Sequence, residues 1–347
     1  MKHIPPNLQP WFDARQRFKL IGARPHVLAS LIVTAITIAA GTAHAQAWKP
    51  DKPVEIIATN APGGGADRVI RIMLNVLQER RDFTVPVSIV NKPGGGSAVA
   101  YAYLNQHAGD GHYVVLGSKA LLTNNISGRG LGYTEMTPVA HLFGEYICVT
   151  VKPDSPLKTG RDLVERIRKD PASLSFGIAT SLGAPNHQGV AAALKAGGAD
   201  VKALRNVIFQ SGGAASSAML GGHIDVVPIT AAFGASLMRN GQARLLAVGS
   251  PQRLGGVLAD IPTWREQGYD AVVSNWRTIV GPKGMTPAQV AFWEDALRRF
   301  TESAEWKKEV DANFWVSEFM GRAETMKYLE REHAALKAFL TDLGLAK

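Results

Sequence analysis

The chain has 347 residues, a single cysteine and a formal net charge of +9. This length exceeds what one hydrophobic core usually organises, so two domains are expected. The basic residues are scattered and form no run that would neutralise a phosphate backbone, which argues against nucleic acid as a partner. With one cysteine, Cys148, neither an internal disulfide nor a thiolate metal cluster is possible, and its apolar neighbours predict a buried thiol.

Residues 1–45 have the pattern of an export leader. Basic residues precede an uncharged apolar run over 27–40 that closes on Ala43-His44-Ala45, so cleavage is expected after Ala45. The run is shorter than the roughly 20 residues that a membrane-spanning helix needs. Removing five basic residues and one acidic residue leaves a charge of +5, which suits attraction of anionic solutes. We therefore expect a periplasmic protein, free in solution because Cys148 lies far from any lipoprotein acylation point.

Strand-like and helix-like segments then alternate along the chain, which predicts an α/β fold. Short β-branched runs predict strands at 54–58, 87–91, 113–117, 174–179, 207–210, 225–229 and 244–249. Helical patterns lie at 66–81, 98–107, 160–169, 187–196, 213–220, 231–240, 287–311 and 322–343, with Trp293 and Trp306 expected in the core.

Two long extended stretches, 139–152 and 272–282, interrupt this alternation and are suited to crossing between domains. They predict a two-lobed protein in which each lobe is a largely parallel sheet flanked by helices. Residues 46–147 and 277–347 would form the first lobe, and residues 148–276 the second.

The first strand runs into a glycine loop that opens a helix. The loop comprises Ala61, Pro62, Gly63, Gly64, Gly65, Ala66 and Asp67. Glycines let backbone N–H groups approach an anion closely, and the helix N-terminus adds partial positive charge. Asp67 either contacts the ligand or stabilises the start of the helix. A dinucleotide site is disfavoured because the glycines are consecutive and no carboxylate ends the second strand, and no Walker lysine follows.

Further loops at strand ends predict the rest of a cleft, because open parallel sheets bind ligands at the carboxyl ends of their strands. A second glycine loop, 91–97, offers Ser97 as a helix cap and could bind an anion as the first could. Lys119 either supplies a full positive charge at the sheet edge or is a solvated surface lysine. The remaining candidates are Ser118, Thr180, Ser181, Gly183, Ala184, His187, Ser211 and Thr230.

Catalysis has little support in the sequence. No recognisable nucleophile or paired-histidine motif accompanies His187, so we predict no catalytic residue, no metal ligand and no cofactor. An exported α/β enzyme that uses His187 or Lys119 as a base remains an alternative.

An ordered set of motifs resembles the periplasmic substrate-binding proteins of tripartite tricarboxylate transporters, the Bug proteins, over essentially the whole mature chain. The motifs are 61–65 before Asp67, 91–95, 209–213, 220–226, 246–248 before Arg253, 261–263 before 266–269, and Asn275-Trp276-Arg277 before 281–282. The Trp276-Arg277 version is most similar to the tricarboxylate-type branch.

The resemblance implies a clamshell whose loops 61–67 and 180–187 grip a small carboxylate, with Ser118, Ser211 and Thr230 nearby and the 94–96 loop structural. It also implies integral-membrane transporter subunits as partners and a monomeric receptor, although a sensor that signals to a membrane kinase would look the same. Two departures bear on the ligand. Ala66 stands where the tricarboxylate branch often has an aromatic residue, and Lys119 replaces a small residue, so the ligand need not be citrate.

Overall fold

The computed structural model describes residues 48–63, 65–179 and 181–347, so the predicted leader lies outside the described residues. Strands alternate with helices as the sequence predicts. The strands are β1 (Val54–Ala58), β2 (Val87–Asn91), β3 (Tyr113–Ser118), β4 (Thr137–Gly144), β5 (Ile147–Val151), β6 (Ser175–Ala179), β7 (Arg205–Phe209), β8 (Val227–Thr230), β9 (Arg244–Val248), β10 (Arg277–Gly281) and β11 (Val316–Met320). The helices are α1 (Gly65–Glu79), α2 (Ala98–Asn105), α3 (Ala120–Ile126), α4 (Gly160–Lys169), α5 (Pro185–Ala196), α6 (Gly212–Leu220), α7 (Ala231–Arg239), α8 (Pro287–Glu302), α9 (Ala304–Asn313) and α10 (Arg322–Asp342).

The first lobe is built on a six-stranded sheet in the order β11-β4-β10-β3-β1-β2. Alternate residues of β1 face opposite sides of this sheet. Ile56 packs with α1 and α8 in a core that includes Trp293 and Trp306, both buried as predicted. Ile57 packs on the other side with Trp276 and residues of α2, α3 and α10. The sheet is therefore covered on both faces by helices.

The second lobe contains a three-stranded sheet, β8-β5-β9, and the parallel pair β6-β7. A parallel bridge between Phe176 and Val226 joins β6 to the start of β8. Helices α4 and α5 cover the core around Phe176 and Trp264. Cys148 on β5 is fully buried, which confirms the prediction of a buried thiol, and burial raises the pKa of that thiol to about 12.

Residues 145–146 link β4 of the six-stranded sheet to β5 of the three-stranded sheet, and residues 273–276 lead back into β10 of the six-stranded sheet. There Glu145 and Asn275 exchange backbone hydrogen bonds, and Arg277 pairs with the Glu145 carboxylate at 3.1 Å. Tyr146 bridges Ser274 in antiparallel register. The two linking segments therefore pair with each other over a short antiparallel stretch.

The predicted two-lobed α/β class is confirmed, and the sheets are mixed in detail. Strands linked through a covering helix run parallel, β1 with β2 and β3, and β6 with β7. Strands β5 and β10 run antiparallel to both of their neighbours, because the chain enters each sheet there from the other lobe and not through a crossover helix. Helix α3 and edge strand β11 were not predicted. No helix in the described part of the chain is long and apolar enough to span a membrane.

Candidate functional site

The first glycine loop leaves β1 at the carboxyl edge of the sheet and enters α1. Its residues Ala61, Pro62, Gly63 and Gly65 are exposed, and Gly64 lies outside the described residues. Gly63 has φ +78°, a left-handed conformation that favours glycine. Ala66 is buried. The loop thus presents backbone rather than side chains at the mouth of the first lobe.

Asp67 lies beneath this loop and is fully buried. Its carboxylate accepts hydrogen bonds from the Gly63 amide at 2.9 Å, from the Asn91 side chain at 3.0 Å and from the Arg71 guanidinium at 2.8 and 3.2 Å. Hydrogen bonds from Arg71 and then from the Gly63 amide lower the pKa of Asp67 to about 2. With its oxygens used internally, the Asp67 carboxylate positions the loop.

Two asparagines complete this support. The Asp67 amide donates to Asn60 Oδ1 at 3.2 Å, and Asn91 Nδ2 also donates to the Asn60 carbonyl at 2.9 Å. Asn91 ends β2 and begins the second glycine loop, so one side chain ties the two glycine loops together. Asn60, Arg71 and Asn91 were not among the predicted site residues, although Asn60 directly precedes the first glycine motif and Asn91 is the first residue of the second.

The second glycine loop has a conformation that only its glycines adopt readily. Gly94, Gly95 and Gly96 all have positive φ, and Asn124 Nδ2 donates to the Gly96 carbonyl at 2.7 Å. Ser97 occupies the cap position of α2, but the prediction that its side chain caps the helix is wrong. Its own φ is +83° and its hydroxyl makes no cap hydrogen bond. This loop is packed against α3 by Asn124.

Ser118 is the last residue of β3 and Lys119 follows it, at the same edge of the sheet as the first glycine loop. Ser118 donates its amide to Tyr101 Oη at 3.3 Å, and its hydroxyl accepts from the Ala120 amide at 3.4 Å. Lys119 is only 6 % exposed, which excludes a solvated surface lysine. Its ammonium pairs with Glu332 of α10 at 2.8 Å, and the same carboxylate accepts from Trp276 Nε1 at 3.3 Å. The positive charge of Lys119 is therefore matched inside the protein.

In the second lobe, residues 181–187 connect β6 to α5, while Thr180 lies outside the described residues. Gly183 has φ +79°, its amide donates to His187 Nδ1 at 3.0 Å, and its carbonyl accepts from Gln188 Nε2 at 2.6 Å. Ala184 is buried and Ser181 is half-buried. The first turn of α5 thus fixes both polar groups of Gly183.

His187 is buried, and desolvation lowers its pKa to about 4, so the ring is neutral at pH 7. Because the Gly183 amide donates to Nδ1, the proton of the neutral ring resides on Nε2. Among the residues that the structure describes, none hydrogen-bonds Nε2. Because Nδ1 of the ring already accepts a hydrogen bond from a backbone amide, His187 is poorly suited to act as a general base.

Ser211 and Thr230 each precede a helix of the second lobe. Ser211 is exposed, and its hydroxyl accepts from the Ala214 amide at 3.1 Å as the cap of α6. Thr230 is half-buried at the start of α7, without a side-chain cap bond. Asn186 connects this region to the 181–187 loop by donating to the Pro228 carbonyl at 2.8 Å. The described contacts join the loops within each lobe, and direct pairing of 63–65 with 180–184 across the cleft stays a prediction.

A cavity of about 650 Å³ lies elsewhere in the second lobe, among Lys152, Asp162, Arg166 and Asp225. None of the predicted site residues lines it. Within the described ranges, no cluster of three His, Cys, Asp or Glu side chains is arranged to hold a metal ion.

Comparison with known proteins identifies the family. The family model described as "Tripartite tricarboxylate transporter family receptor" matches residues 69–345. A relative from Cupriavidus necator, the "UPF0065 protein in gbd 5'region", is 24% identical and covers 93% of this chain and 99% of its own.

Two solved structures from Rhodopseudomonas palustris share the fold. Rpa4515 with adipate has a TM-score of 0.73 at 21% identity, covering 86% of this chain and 99% of its own. MatC with bound malate has a TM-score of 0.67 at 19% identity, covering 83% and 99%. The family match spans most of the chain, as the sequence motifs anticipated. This protein therefore belongs to the receptor family of the tripartite tricarboxylate transporters.

Proposed function

We propose that this protein is an exported periplasmic receptor that binds a small organic acid and delivers it to the membrane subunits of a tripartite tricarboxylate transporter. Family membership supports the receptor role, and the adipate and malate bound to the two fold neighbours support a carboxylate as the ligand. The single observation that carries the proposal is the exposed glycine loop held from below by Asp67.

The chemistry of that loop suits a carboxylate. The Gly63 amide is already bonded to Asp67, and the Asp67 amide to Asn60, so the amides of Gly65 and Ala66 in the first turn of α1 are the groups we assign to the ligand. A helix N-terminus favours a negative charge, and a loop fixed before binding loses little entropy on binding.

We assign the opposite wall of the site to residues 180–184, with Ser118, His187, Ser211 and Thr230 around it. Asp67 and Lys119 become positioning residues, because one is buried under the loop and the other is paired with Glu332. We place the lobe boundaries at 147/148 and 276/277. Strands β4 and β10 belong to the first-lobe sheet and β5 and β9 to the second-lobe sheet, which supports this division to within one residue, since Ile147 already begins β5.

We further propose that the receptor is not an enzyme, that it is a monomer, and that its leader is cleaved after Ala45. An exported enzyme with His187 as a base is disfavoured by the hydrogen bond that His187 accepts from Gly183. A sensor subunit for a membrane kinase would bind the same acids. A pull-down of the acid-loaded protein against membrane fractions separates the two by recovering either a permease or a kinase.

A thermal-shift screen tests the proposal. The protein is refolded to remove any retained ligand and heated with adipate, malate, succinate and citrate, with dimethyl adipate as the uncharged control. At a concentration of about 100 times Kd, a ligand stabilises the native state by about 2.7 kcal/mol, which raises Tm by roughly 5 °C. The proposal fails if none of the acids raises Tm above the control.

A further inference from the structure

The C-terminal helix α10 forms a third connection between the two lobes, in addition to the two chain crossings. Leu336 and Leu340 are buried in the first-lobe core beside Trp276. Leu343 packs against the second-lobe core, and Phe339 packs against both cores. The last turns of α10 therefore lie at the junction of the lobes.

Polar contacts fix this segment at both sides. Asp342 forms an ion pair with Lys195 of α5 in the second lobe. The Lys347 amide donates to the Ile126 carbonyl at the end of α3 in the first lobe, at 3.0 Å. The chain terminus is thus anchored to the first lobe after it has contacted the second.

Residues 339–345 cover the 181–187 loop. A Cβ atom added to Gly183 would lie 2.8 Å from Leu340 Cδ2 and 3.5 Å from Leu345 Cδ1, so these side chains touch the backbone of the loop. The Phe339 ring centroid lies 6.4 Å from that of His187. Gly183 is consequently enclosed by His187 and Gln188 of its own helix on one side and by Leu340 and Leu345 on the other.

We propose that Leu340 and Leu345 are positioning residues for ligand binding, which hold the Gly183 loop in its binding conformation from the first lobe. The inference rests on the proposed role of the 180–184 loop in gripping the ligand. Gly183 has a positive φ, and its neighbour Leu182 is 38 % exposed. Packing of Leu182 therefore does not hold the loop in place. If the leucine contacts are removed, the loop samples other conformations and only a fraction of molecules can bind.

The test compares two leucines on one helix, one turn apart. Leu340→Ala removes the contact with Gly183, whereas Leu336→Ala makes the same truncation in the same first-lobe core. Leu340→Met keeps a side chain of similar size and should retain binding. Leu345→Ala removes the second contact with Gly183, and because Leu345 is half-buried, its loss should destabilise the fold only slightly. Two readouts are taken on the purified full-length variants: hydrogen exchange of the peptide that spans Gly183 to Gln188 without ligand, and Kd for adipate.

For Leu340→Ala we expect faster exchange in that peptide and a Kd raised about tenfold, as if about one molecule in ten kept the competent loop. Leu336→Ala should leave both readouts within about twofold of the unmodified protein, and Leu345→Ala should move both in the same direction as Leu340→Ala. The inference would be overturned if Leu340→Ala and Leu336→Ala changed hydrogen exchange and Kd equally. If Leu340→Ala does not fold, the inference would be overturned by unchanged exchange and Kd in Leu345→Ala. If the unmodified protein bound no acid, the proposed function would fail, while the exchange comparison would still decide whether these leucines hold the loop.

Discussion

The replacement Asp67→Asn tests whether the carboxylate under the glycine loop serves the ligand site. The substitution keeps the shape of the side chain but removes its charge and places an NH2 group toward donors that include the Gly63 amide, Asn91 and Arg71. Asp67 titrates with a pKa of about 2 in the folded protein, against 3.8 for the free side chain. This difference corresponds to about 2 kcal/mol of stability at neutral pH.

The sign follows from the direction of the shift. A folded-state pKa below the unfolded value gives stability that is present above about pH 4 and is lost as pH falls toward 2. At pH 7, Asp67→Asn should therefore lower the free energy of unfolding by about 2 to 3 kcal/mol, the upper figure including one donor left without its acceptor. Urea unfolding followed by tryptophan fluorescence measures this loss.

Ligand affinity separates positioning from simple helix stabilisation. Asp162→Asn is the matched control, because Asp162 also accepts backbone amides at the start of a helix, from Lys158 and Thr159, but lies on α4. We expect Asp67→Asn to weaken adipate binding at least tenfold, or by about 1.4 kcal/mol. Asp162→Asn should lower stability and leave Kd unchanged. Unchanged affinity in Asp67→Asn would show that Asp67 only stabilises its helix.

Three further predictions concern other parts of the site. Desolvation lowers the pKa of His187 to about 4 in the folded protein, against 6.5 for the free side chain, so about 3 kcal/mol of stability should be lost as pH falls from 6.5 to 4. The acid limb of a urea-denaturation series should therefore flatten in His187→Asn, while His141 and His333, whose pKa values are also lowered, still contribute to it. Glu332→Gln leaves the Lys119 ammonium buried without its carboxylate and should lower the free energy of unfolding in urea by about 3 kcal/mol. Adding Lys119→Met to Glu332→Gln should recover most of that loss, and additive losses would refute the pairing. A Cβ atom added at Gly63 would have no neighbouring atom within 4 Å, so Gly63→Ala should destabilise the protein only through the positive φ, by about 1 kcal/mol. A fall in Tm that corresponds to a far larger loss of stability would contradict this geometry.

Local features of the fold were well predicted from the sequence. Val54–Ala58 and Val87–Asn91 are strands at the predicted residues, because short β-branched runs between turns favour strands. Helix α3 escaped prediction because it is short and its N-cap residue, Lys119, makes no side-chain cap hydrogen bond. Strand β11 escaped because it is a five-residue edge strand between two long helices.

The candidate site was predictable in its loops and not in its supports. Glycines after a strand identify backbone that approaches a ligand, and these are readable one motif at a time. The partners of Asp67 and Lys119 depend on tertiary packing. Asn91 reaches Asp67 from the neighbouring strand, and Glu332 reaches Lys119 from a helix near the chain terminus. Sequence spacing carries no signal for either contact, so the sequence alone left two roles open for each of Asp67 and Lys119.

Calorimetric titration of the refolded protein with adipate tests the central claim most directly. We predict saturable binding of one molecule per chain, with malate or citrate competing for the same site and dimethyl adipate giving no binding. Absence of saturable binding for all three acids, or equal binding of the diester, would contradict a receptor that recognises a carboxylate through backbone amides.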